Sequence, residues 1–68
     1  MEIRRVILFP GERRMQVLVK VPSRKNLIEI QYAWKVRTRP NVPPMNWVST
    51  IEAEVSNVLA GRPDILFR

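Results

Sequence analysis

The chain predicts an α+β fold: an antiparallel sheet of three strands, or four with the tail, and one C-terminal helix packed on one face. Three observations carry that expectation. Residues 28–36 read IEIQYAWKV, with an apolar side chain at every second position. Pro10-Gly11 separates two earlier apolar runs. After a proline-rich stretch at 40–44 the apolar spacing changes from two to that of a helix. The 68 residues divide as one small domain, with a β-meander at 3–38, a connector at 40–44, a helix at 46–60 and a tail or edge strand at 64–68.

The first strand, Ile3 to Phe9, is rich in β-branched and other apolar residues. Pro10 and Gly11 then suit the central positions of a type II turn, because Pro presets φ and Gly accepts φ > 0. By strict alternation Val6 and Leu8 point one way, and Ile3, Ile7 and Phe9 the other. Both sets are apolar, so which face is buried stays open. A second strand, Met15 to Val21, alternates Met15, Val17, Val19 and Val21 with Gln16, Leu18 and Lys20. Residues 22–26, PSRKN, form the next loop. In the third strand Ile28, Ile30, Tyr32, Trp34 and Val36 share the packed face, and Glu29, Gln31, Ala33, Lys35 and Arg37 the open one.

Pro40, Pro43 and Pro44 have no N–H for a sheet, so this stretch reads as a stiff, extended connector. Trp47, Val48, Ile51, Val55, Val58 and Leu59 then recur at helical spacing, with Ser49, Thr50, Glu52, Glu54, Ser56 and Asn57 between them. Asn46 is the expected N-cap and Glu52 suits the positive end of the helix. Gly61 ends it, and Pro63 prevents its return. The expected core is Val17, Val19, Ile28, Ile30, Tyr32, Trp34, Trp47, Ile51, Val55, Val58 and Leu59.

Composition narrows the function. A chain of this length buries only about 60% of its unfolded surface, and with no Cys it has no disulfide to staple it. Help from a second copy or a partner is therefore expected. With no His, the commonest metal ligand and general base is missing. Ser23, Ser49 and Ser56 have no His to activate them. Glu52 and Glu54, two apart on a helix, do not form a carboxylate pair. Neither Gly11 nor Gly61 belongs to a phosphate-cradling loop. No enzyme, cofactor or metal is expected. No apolar run approaches a membrane span of roughly 18 residues, so a soluble, cytoplasmic protein is expected.

The charge is uneven. Residues 1–40 hold ten Lys and Arg against three Glu, whereas 41–68 hold two against three. Nine of the twelve basic residues are Arg, whose planar fork grips phosphate or carboxylate at two points and stacks on bases. In a meander, Arg13, Arg14, Arg37 and Arg39 converge at one end of the sheet, with Lys35 beside them. Arg24, Lys25 and Arg4 gather at the other. Tyr32 and Trp34, in phase with Ile28 and Ile30, are core rather than base-stacking residues.

The leading expectation is a small, basic, non-enzymatic nucleic-acid-binding protein, oligomeric, for DNA or RNA. The alternative is a protein–protein interaction module that docks on an acidic surface of a larger host protein. It would be an accessory factor or inhibitor of the kind that compact viral or mobile-element genes encode, anchored by Ile7, Phe9 and Phe67.

Overall fold

Pro10 and Gly11 close the first hairpin. In the computed structural model, which describes residues 1–35 and 37–61, the Glu12 N–H donates to the Phe9 carbonyl at 3.1 Å and Gly11 has φ 75°. That is the type II geometry the Pro-Gly pair specifies. The hairpin joins β1 (Glu2–Phe9) to β2 (Arg14–Lys20), and β3 (Ile28–Ala33) follows. The three strands form one antiparallel sheet in the order β1-β2-β3. The helix α1 (Trp47–Leu59) packs against one face, so the described residues adopt the expected α+β architecture.

Register assigns the faces. Val17 stands opposite Val6 and Ile30, and Met15 opposite Leu8 and Tyr32; cross-strand partners share a face. Met15, Val17, Val19, Ile28, Ile30, Tyr32, Trp34, Ile51 and Val55 are all buried. Val21 joins them at the end of β2. Each fully buried apolar side chain of this size contributes about 1.5–3 kcal/mol relative to leaving it in water. Trp47 and Val58 are half-buried against this cluster. Leu59, expected inside, is 44% exposed, because it falls at the helix's last residue and off the stripe formed by 51, 55 and 58. Glu54, expected among the polar positions, is buried. Its spacing explains this: 51, 54, 55 and 58 follow i, i+3, i+4, i+7 and share one helix face.

β1 departs from strict alternation. Ile3 pairs with Val19 and Arg5 with Leu18, so Arg4 is an extra residue, a β-bulge. The bulge flips the phase and brings Ile3 to the helix side with Val6 and Leu8, instead of leaving it with Ile7 and Phe9. Because α1 lies nearest β3, at the far side of the sheet, Val6 and Leu8 remain about 40% exposed on the helix side.

The ladder of β3 ends at Ala33, short of position 38. Ala33 pairs with Arg14, the first residue of β2, and beyond it the neighbouring chain turns away into the hairpin. The Trp34 N–H instead donates to the Arg13 carbonyl at 2.9 Å. The connector also differs from an extended strut. The Val42 N–H donates to the Arg39 carbonyl at 3.0 Å, a β-turn with Pro40 in its favoured second position. Asn46 occupies the N-cap position, but its side chain makes no capping hydrogen bond. Glu52 lies in the second turn, past the first-turn N–H groups. At the other end Gly61 has φ 74° and its N–H donates to the Val58 carbonyl at 3.0 Å, the left-handed stop expected of glycine. The tail at 64–68, with Phe67, and the placement of Val36 lie outside the described residues.

Candidate functional site

Two turns meet at one end of the sheet. The Gly11 N–H donates to Asn41 Oδ1 at 3.1 Å, which locks the turn at 9–12 onto the turn at 39–42. Arg13 makes the second tie: its guanidinium donates to the Thr38 carbonyl at 3.1 Å, and its own carbonyl accepts from Trp34. Arg13 holds a left-handed φ of 49°, unusual for a side chain with a Cβ. These contacts on both sides hold the residue in that strained conformation.

The consequence is local concentration of charge. Thr38 is flanked by Arg37 and Arg39, each one Cα step of about 3.8 Å away. Arg13 therefore reaches between them. Lys35, Arg37 and Arg39 are exposed, and Arg13 and Arg14 are half-buried. Among the described residues of this hairpin end the acidic one is Glu12, which pairs with Arg14 at 2.9 Å. Among the described residues the other ion pair, Arg4 with Glu2 at 3.3 Å, lies along β1. Both pairs are surface contacts between near neighbours, of small energetic value.

Arg14 has a second partner. Its guanidinium carbon lies 3.7 Å from the centre of the Phe9 ring, the cross-strand neighbour at the mouth of the hairpin. Phe9 and Ile7 are half-buried on the open sheet face, together with Leu18. Phe9 is thus covered on one side by an arginine and is not a bare apolar anchor.

At the opposite end the β2–β3 loop carries Arg24 and Lys25, both exposed. The Lys20 ammonium donates to the carbonyls of Arg24 and Lys25, which shapes the loop from within. Arg24, Lys25, Asn26 and Glu29 border a shallow hollow of about 460 Å³. Arg4 bulges out near the start of β1, beside the Ile3–Val19 pair and so at this same end of the sheet, and pairs with Glu2.

Tyr32 and Trp34 are buried, with ring centres 5.8 Å apart and planes tilted by 42°. They belong to the core and have no surface to offer a base. Among the described residues no helix is long and apolar enough to cross a membrane.

From meander topology the sequence led to the expectation that Arg13, Arg14, Arg37 and Arg39 converge; the structure ties Arg13 to Thr38, between Arg37 and Arg39, and sets Arg14 against Glu12 and Phe9. Sequence reading missed the roles of Thr38 and Asn41, which position the cluster through one carbonyl and one amide. Nothing local signals those, because their partners are 25 and 30 residues away. The Phe9–Arg14 contact had a signal: two residues that flank a four-residue hairpin loop face each other across the ladder.

No family model matches the chain, and neither does any curated protein or solved structure compared with it.

Proposed function

We propose that this protein binds nucleic acid through the basic end of its sheet, with no catalytic role, and does so as an oligomer. The observation that supports the reading is the pair of locked turns, which ties Arg13 to Thr38 between Arg37 and Arg39, with Lys35 and Arg14 on the adjoining segments and Glu12 as the carboxylate paired there among the described residues. A group of cations fixed on a rigid hairpin end can displace condensed counterions from a phosphate backbone without reading its sequence. Arg24 and Lys25 at the far end extend the same field along the molecule. The oligomer finds support in Val6 and Leu8, apolar and exposed on the helix side of an edge strand.

Fluorescence anisotropy with mixed-sequence oligonucleotides tests the reading. With about four phosphate contacts, the affinity for a single strand falls about fifty-fold between about 50 and 200 mM salt. Arg37→Ala with Arg39→Ala removes two contacts and lowers the log–log salt slope by about 1.4. No binding at low salt overturns the proposal. The docking-module alternative then gains ground, and its affinity for a protein partner would depend on Ile7 and Phe9 and vary less with salt.

A further inference from the structure

Arg14 differs from the other cations of this end in having two partners of its own. Its Nε already donates to Glu12 at 2.9 Å, which offsets much of its charge. One side of its guanidinium is laid on the Phe9 ring. Yet the side chain is 39% exposed. A planar cation tied to a carboxylate and lying over an aromatic ring, with over a third of its side chain still exposed, keeps a surface for a further partner. Such a surface is suited to stacking on a flat, electron-rich ring.

We infer that the open sheet face at its basic end is a base-stacking seat for single-stranded nucleic acid, in which Arg14, supported by Phe9 and Glu12, carries an unpaired base while Arg13, Arg37 and Arg39 take the flanking phosphates. The inference rests on the nucleic-acid reading above and adds the class of strand. In a duplex each base is stacked above and below and offers no free face, so only an unpaired base gains from this seat. Charge complementarity supports nucleic acid as the occupant: the next residue, Arg13, is tied to Thr38 between Arg37 and Arg39, and the chain as a whole carries a net charge of +6. The neighbouring side chains on the open face, Ile7, Gln16 and Ala33, are uncharged; the carboxylate at the seat is that of Glu12, already engaged by Arg14, and Glu29 stands farther along the face, opposite Leu18.

The test compares three labelled probes of equal length at low salt: a mixed-sequence single strand, its duplex, and a strand in which the central nucleotides are abasic. The intact single strand is expected to bind about tenfold more tightly than the abasic one, the scale of one stacked base, and more tightly than the duplex. Arg14→Lys keeps the charge and loses the plane; Phe9→Leu keeps an apolar support and loses the ring. Both are expected to abolish the intact-over-abasic preference. Equal binding of intact and abasic strands by the unsubstituted protein overturns the seat without recourse to any variant. So does a preference that survives Arg14→Lys. Failure of all three probes to bind overturns the nucleic-acid reading itself, which separates the two claims.

Discussion

Arg13 occupies a left-handed conformation that costs an L-residue about 1–2 kcal/mol. Glycine would adopt it freely, but would lose the guanidinium bond to Thr38. A hydrogen bond from a charged group is worth about 1.5–3 kcal/mol, so the two terms largely offset each other. Arg13→Gly is therefore expected to change stability by less than about 1 kcal/mol in urea denaturation. Arg13→Val loses the bond and adds β-branched strain at positive φ, and is expected to cost about 2–3 kcal/mol. Equal effects of the two substitutions would show that the backbone conformation carries no strain. The burial of Tyr32 and Trp34 was legible from phase, since they alternate with Glu29, Gln31 and Lys35. The conformation of Arg13 was not, because it is imposed by Thr38 and Trp34 from distant parts of the chain. Glu54 was legible in principle: its spacing from Ile51 and Val55 places it on the buried stripe, and its charge masked that signal.

Elements were read well where a single period governs them and poorly where one residue breaks it. The Pro-Gly turn, the helix and its glycine stop follow from local chemistry. The bulge at Arg4 does not announce itself in EIRRVILF, and it decides where Ile3 goes. With the rest of the ladder fixed from Arg5 onward, an unbulged strand would set Arg4 opposite Val19, on the core side. The bulge keeps that charge out and returns Ile3 to the apolar face. The same logic makes an unusual deletion harmless. Removing Arg4 leaves Ile3 directly before Arg5 and still opposite Val19, so stability is expected to change by less than about 1 kcal/mol. Removing Gln16 from β2 inverts the faces on one side of the cut and sends either Met15 or Val17 and Val19 into water. Loss of cooperative thermal unfolding, followed by circular dichroism, is the expected outcome for that second deletion and not for the first.

At the scale of the molecule, charge and apolar exposure occupy different places. The cations concentrate at the two ends of the sheet, whereas Val6 and Leu8 lie exposed on the helix side of β1, the edge strand farthest from α1. A chain of 8.0 kDa with a marginal core gains from covering them with a second copy. Each copy carries a charge of +6, so association works against repulsion between like molecules. Salt screens that repulsion and strips phosphate binding of its counterion gain, so the two proposed activities are expected to respond to salt in opposite directions. Light scattering at micromolar concentration is expected to give a mass above 8.0 kDa that rises between about 50 and 200 mM salt, over the range in which oligonucleotide affinity falls. Val6→Lys with Leu8→Lys is expected to return the mass to that of one chain. Its effect on folding should stay small, since both positions are already 40% exposed. A single-chain mass for the unsubstituted protein at both salt concentrations would remove the oligomer from the proposal and leave the basic end to act as a lone binding site.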